Sequence, residues 1–406
     1  MTQASAALKG RATGAEFQNF TLQQIIGAAI AQRLAVAAWR LPNSSDINIC
    51  ISFSSDYRTG QPHLEESPFG FLFCPFHESE REANLFIKAD LYYSTAKGRL
   101  QVAEDAPVYA LEQYYNALAK QKSKPATQWH TLEDLEHQLS SPELFTEAVA
   151  RAVEAIRAEK MEKVVLSRNH TQELPEAFEL VSAFQALQEA YSCAFVSLVS
   201  VPEVGTWMGA SPEILVSIDQ NQLFKTVALA GTQPAAEGAS TANAIWRQKE
   251  IEEQAMVERY ILSCFKKLRL RDYSEVGPRT IVAGNLLHLR TDFKVDLKEV
   301  DFPTLGSDML QLLHPTSAVC GLPKAPALQF ILCNEGYDRS YYSGFLGPVN
   351  SADGTHIYVN LRCMQLLTDT AILYAGAGIT AESDPQNELQ ETQHKMQTIA
   401  HILQQF

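Results

Sequence analysis

Apolar residues recur at helical spacing after Thr21, whereas 47–53, 70–73 and 84–88 are short apolar runs of strand length between polar or turn residues. The stretch KQKSKPATQ at 120–128 is polar and carries a proline, which predicts a linker. It separates an amino-terminal part, 1–130, from the remainder, 131–406. Ser141 and Pro142 suit the N-cap and first turn of an amphipathic helix that reaches Lys160 and passes into a strand at 163–167. A helix from Glu179 and strands at 194–200, 206–209, 214–218 and 223–228 follow, with Asp219, Gln220 and Asn221 turning the last pair into a hairpin. A long helix is predicted over 242–267, strands over 288–295, 343–349, 356–362 and 371–374, and a final helix from Asp384. Hairpin-linked strands outnumber strand-helix-strand alternations. The expected class is therefore α/β of the α+β type, with large, mainly antiparallel sheets and outer helices in one compact body.

Composition narrows the partners. With 406 residues, 46% of them hydrophobic, the chain can bury a large core. A formal net charge of -14 argues against a nucleic-acid or anionic-membrane surface, because phosphate binding needs clustered Lys and Arg. An anionic substrate then requires local cations or a metal. No apolar stretch approaches the roughly 18 to 20 residues of a membrane span, the richest segment, 25–39, being broken by Gln32 and Arg33. Without an apolar signal core at the start, the chain is expected in the cytoplasm. The seven cysteines are widely spaced and form no C-x-x-C pair, so neither a disulfide framework nor a zinc site is indicated.

Glu250 and Glu253 lie three apart on one predicted helix, and Glu388 and Glu391 repeat the spacing on the last, so each pair projects from one helix face. Carboxylates suit Mg²⁺, a hard cation that keeps several waters. Spacing alone is better explained by two solvated faces, and Glu391 with Lys395 by a surface ion pair. Lys163 opens the apolar strand KVVLS, where an edge-protecting lysine and a general base are both open readings. Glu213 follows Pro212 in a turn between strands, where a glutamate is usually solvated. The run AGAG at 375–378 lacks the third glycine of a dinucleotide loop, though its amides could hold a carboxylate.

Taken together, these segments resemble the chorismate-utilising enzymes, a family that includes isochorismate, salicylate, anthranilate and aminodeoxychorismate synthases. The matching text is KVVLSR at 163–168, GASPE at 209–213, LAGT at 229–232, KEIEEQAM at 249–256 and HPTSAVCGLPK at 314–324. It continues with YYSGFLG at 341–347, NLR at 360–362, AGAGI at 375–379 and ELQETQHK at 388–395. The matches run in the family's order over about 140–406, and none falls in the first 130 residues.

The resemblance implies an α/β sandwich around a central cleft. It implies that Glu250, Glu253, Glu388 and Glu391 hold Mg²⁺, which binds the ring carboxylate of chorismate. Tyr342 and Arg362 match positions that take the enolpyruvyl carboxylate, and Gly231, Thr232, His314, Gly376 and Lys395 match others of the substrate site. Lys163 matches a base and Glu213 an acid. Amine-adding relatives commonly carry glutamine where Lys163 stands, and aminodeoxychorismate synthases carry a lysine where this chain has Ala230. Both differences point to water as nucleophile, hence to isochorismate formation with no obligatory glutaminase subunit. Salicylate synthase shares the base and acid and stays open, as do menaquinone and siderophore synthesis as destinations and, outside enzymes, an inert chorismate-binding protein. Gln254 departs from the family, which often has histidine after the metal-binding glutamate.

Overall fold

The computed structural model describes residues 20–80, 82–121, 128–132, 139–234, 244–283 and 286–406. Most of the predicted linker, and the start of the helix predicted from 242, lie outside them. Two sheets carry the fold. The ten-stranded sheet runs in the order Gly321–Leu322, Lys163–Glu173, Thr370–Ile379, Cys363–Leu366, Gly205–Ser211, Phe195–Val201, Ala35–Arg40, Asn48–Ser52, Leu91–Ser94 and Arg99–Val102. The eight-stranded sheet runs Ser274–Ala283, Leu286–Asp296, Leu223–Pro234, Ile214–Asp219, Gly354–Val359, Phe345–Val349, Gly70–Cys74 and Leu85–Lys88. Strand pairing among the described residues is antiparallel in both, as hairpin connectivity predicts. Residues of the 1–130 part supply strands to both sheets, so the two parts share one body.

Alternation along the strands builds three cores. In Ala35–Arg40, Ala35, Ala37 and Trp39 join an inter-sheet core with Phe71, Phe73, Phe195 and Trp207, while Val36 and Ala38 face helices Leu22–Ala31 and Leu180–Ala190. The third core joins Val164, Leu166, Ala377 and Ile379 of the ten-stranded sheet, beneath helix Pro142–Arg157, to Val216, Phe224 and Phe293 of the eight-stranded sheet, beneath helices Gln248–Lys267 and Leu305–Leu313. The order is helix layer, sheet, sheet, helix layer. Because the strand Ala35–Arg40 is buried on both sides, its sequence reads as a continuous apolar run rather than an alternating one.

The two helices nearest the site start on designed ends. Asp384 caps Pro385–Leu403 by accepting from the amides of Gln386 and Asn387 at 3.1 and 3.0 Å. The helix Gln248–Lys267 starts six residues later than the apolar pattern suggested, with Glu250 accepting from the Arg247 amide at 2.9 Å. No helix among the described residues is long and apolar enough to cross a membrane.

Candidate active site

A cavity of about 650 Å³ gathers residues from both sheets and from the helices Gln248–Lys267 and Pro385–Leu403. Lys163, the first residue of its strand, reaches it while only 6% exposed. The neighbouring strand sets Gly376 opposite Ser167 and Gly378 opposite Val165. A Cβ on Gly378 would stand 3.1 Å from Lys163 Cε and 3.5 Å from Nζ, so the glycine leaves the lysine its path. Burial lowers the Lys163 pKa, with Lys395 and Lys249 acting in the same direction and Glu253 and Glu391 against it.

Glu213 enters the same cavity from the turn after Gly205–Ser211. Thr316 Oγ1 donates to its Oε1 at 3.4 Å, and its own amide donates to Ser211 Oγ at 3.4 Å. Although half-buried, the carboxyl is raised to about 7 by loss of water, against the Thr316 hydrogen bond and the Lys163 charge. One cavity thus holds an amine biased toward its neutral form and a carboxyl biased toward its protonated form.

Glu250, Glu253 and Glu391 line this cavity, whereas Glu388 is buried beside it and accepts from Ser383 Oγ at 2.7 Å. Glu391 pairs with Lys395 at 2.6 Å. Among the described residues, no three His, Cys, Asp or Glu side chains are drawn close enough to enclose a metal ion. The donor chemistry nevertheless suits a hard dication, since these are carboxylates from two helices around one cavity. Burial raises Glu388, and Glu391 pushes it further in the same direction, a repulsion that a dication relieves.

Gly231 sits in the left-handed region at φ 63°, where a Cβ would stand 3.1 Å from both Cβ and the carbonyl oxygen of Glu250. The glycine therefore lets the strand and the acidic helix meet. Gln254 fixes the rotation of that helix: its Oε1 accepts from the Ala230 amide at 3.0 Å, and Nε2 donates to Thr291 Oγ1 at 3.1 Å and Glu258 Oε1 at 3.0 Å. The departure from the family's histidine thus belongs to the helix-strand joint.

Arg362 follows the strand Gly354–Val359 at φ 48°, a conformation sparsely used by side-chain-bearing residues, and its Nη1 donates to Thr398 Oγ1 at 2.8 Å. The strand predicted over 356–362 ends at Val359. Tyr342 is buried, and a Cβ on Gly376 would lie 3.2 Å from its hydroxyl. Lys395 donates to the Gly376 carbonyl at 2.8 Å. These four residues line the cavity with Gly231. Thr232 lies on the strand Leu223–Pro234, opposite His288.

His314 is placed elsewhere. It lines a second cavity of about 360 Å³, its Nε2 bonds the Phe76 carbonyl at 3.2 Å, and its ring meets Phe345 edge-on. Burial depresses its pKa to about 3. Its neighbours Thr316, Ala318 and Val319, not its ring, serve the main cavity. Sequence reasoning also missed Lys249, His288, His394 and Thr398, which line the main cavity. His288 stands on a strand that also carries Arg290, Asp292 and Lys294, so nothing local marked it, and nothing distinguished Thr398 from any helical threonine.

A family model described as chorismate binding enzyme matches residues 30–404. The vibriobactin-specific isochorismate synthase of Vibrio cholerae is 30% identical over 294 residues, 70% of this chain and 72% of that protein. Isochorismate synthase DhbC of Bacillus subtilis is 30% identical over 274 residues, 64% of this chain and 68% of that one. The solved structure of MenF, the menaquinone-specific isochorismate synthase of Escherichia coli, is similar in fold, with a TM-score of 0.77 at 20% identity, covering 98% of this chain and 99% of that one. With the match extending across nearly all of the described sheets and helices, the chain belongs to the chorismate binding enzyme family.

Proposed function

We propose that this protein is an isochorismate synthase, which isomerises chorismate by adding water at C2 while the C4 hydroxyl leaves. The observation that carries the reading is the pair Lys163 and Glu213 in one cavity, with pKa values pushed toward each other. The neutral Lys163 amine takes a proton from the attacking water, and protonated Glu213 gives its proton to the departing hydroxyl. Oxygen is conserved, because the hydroxide gained at C2 equals the one lost from C4. Arg362 offers a planar fork for one substrate carboxylate, beside the Tyr342 hydroxyl. Glu250, Glu253, Glu388 and Glu391 would hold Mg²⁺, which when bound supplies positive charge for the other carboxylate.

Water needs no ammonia channel, so no obligatory glutaminase subunit accompanies the chain. The same reading makes it a cytoplasmic enzyme feeding menaquinone or siderophore synthesis. Incubation with chorismate and Mg²⁺, followed by NMR of the products, tests this. Isochorismate alone is expected. Salicylate with pyruvate, an aminated product that requires ammonia, or unchanged chorismate would each overturn the assignment, and full activity with a chelator present would remove the metal from it.

A further inference from the structure

Arg362 holds an unfavourable backbone conformation at the edge of the cavity, so something must fix where its guanidinium points. Among the described residues, the hydrogen-bond partner of that guanidinium is Thr398, whose Oγ1 accepts from Nη1 at 2.8 Å. Thr398 lies near the end of the Pro385–Leu403 helix and is itself held from behind, because Tyr191 Oη donates to its carbonyl oxygen at 2.7 Å. Tyr191, the C-cap of Leu180–Ala190, is in turn gripped by the amino-terminal part of the chain. Arg40, 4% exposed, donates through Nη2 to the Tyr191 carbonyl at 2.5 Å and through Nη1 to the Ser192 carbonyl at 2.8 Å. A continuous line of contacts therefore runs from a strand of the 1–130 part to the guanidinium in the cavity.

We propose that Thr398 is a positioning residue that aims Arg362 at a substrate carboxylate, and that Tyr191 and Arg40 brace it from the amino-terminal part. This rests on the reading of Arg362 given above. A guanidinium rewards correct aim, since only one orientation presents both of its parallel N–H bonds to a carboxylate. Thr398 satisfies one side of the group and leaves the other donors for the ligand. The first 130 residues, which carry no site motif, thereby gain a part in substrate binding through the far end of this line.

The test is a double-mutant cycle on the full chain, read as chorismate affinity by calorimetry with Mg²⁺ present and, separately, as KM and kcat. Thr398→Val keeps the shape and removes the acceptor. It is expected to weaken chorismate binding and raise KM about tenfold, the scale of a hydrogen bond to a charged group, with kcat within about twofold of wild type. Thr398→Ser restores the acceptor and is expected within about threefold of wild type. Combined with Arg362→Gln, Thr398→Val should add no further loss, because its effect passes through the guanidinium. Tyr191→Phe should give a smaller loss in the same direction. Wild-type affinity in Thr398→Val, or a penalty that persists undiminished beside Arg362→Gln, would overturn the proposal. Because the cycle is read in binding, it is decided separately from turnover, and a wild type that binds chorismate without converting it would count against the proposed function alone.

Discussion

Lys163 and Glu213 are perturbed in opposite directions by one cause, removal from water, which disfavours the charged form of each. An edge-protecting lysine and a solvated turn glutamate would show neither shift, which supports the proposed roles of base and acid. Lys163→Gln and Glu213→Gln should each lower kcat by about a hundredfold to ten-thousandfold, with chorismate affinity changed only a few fold. Steady-state kinetics beside calorimetry checks this, and turnover near the wild-type level in either variant would contradict the assigned roles. The pH dependence follows. Activity is lost when Lys163 gains a proton and when Glu213 loses one, so kcat/KM should be bell-shaped with one limb near 7, where the Glu213 carboxyl titrates. A profile flat from pH 6 to 8, about one unit either side of that value, would contradict it.

Among the elements, the acidic helix shows why some of the site could be read in advance and some could not. The three-residue spacing of its glutamates was legible, since helical geometry alone puts them on one face. Which way that face turned was not, because it is set by Gln254 bonding to Ala230 and Thr291 on two strands remote in sequence. Gln254→Ala should cost about 1–3 kcal/mol, the penalty for leaving a buried amide unpaired, seen as a lower urea midpoint. The loop after Leu305–Leu313 illustrates the converse. Its motif was legible as part of the site, but the structure turns the His314 ring toward Phe76 and Phe345 and gives Thr316 the contact with Glu213. Strands also differed in legibility. Apolar runs bounded by turn residues were found even where both faces are buried, as at Gly70–Cys74 and Phe195–Val201, whereas Ala35–Arg40, close behind the apolar helix Leu22–Ala31, and the exposed edge Ser274–Ala283 carry no boundary or period that marks them.

At the scale of the molecule, the sheets are continuous across the boundary that the polar stretch at 120–128 suggested, since residues of the 1–130 part complete both. Beneath the cavity, Arg339 and Glu335 form a buried ion pair that also binds the Val319 and Val165 carbonyls and the Ser167 amide, tying strand, loop and helix together. Arg339→Met strands the Glu335 charge and should cost about 3–5 kcal/mol in thermal or urea unfolding. Acid should weaken the whole fold. Burial holds His130 and His288 at about 4 and His314 at about 3, against 6.5 for a free histidine. The unfolded chain therefore binds more protons below that value, so their contribution is full above pH 6.5 and is lost as pH falls toward 4. Glu213, raised to about 7 from 4.5, and Glu388, also raised by burial, act oppositely, but burial lowers His356 as well, so four histidines stand against two carboxyls. A urea midpoint higher at pH 5 than at pH 7 would contradict this balance, which rests on the window between the two histidine values.

In the proposed reaction, solvent water attacks chorismate while the substrate's own hydroxyl departs from the far side of the same cavity. Turnover in water enriched in oxygen-18, followed by mass spectrometry and NMR of the product, tests it most directly. Isochorismate bearing the heavy oxygen at C2 is expected. Isochorismate that retains only the original oxygen atoms would mean that the hydroxyl migrates within the substrate, and would contradict the roles given to Lys163 and Glu213.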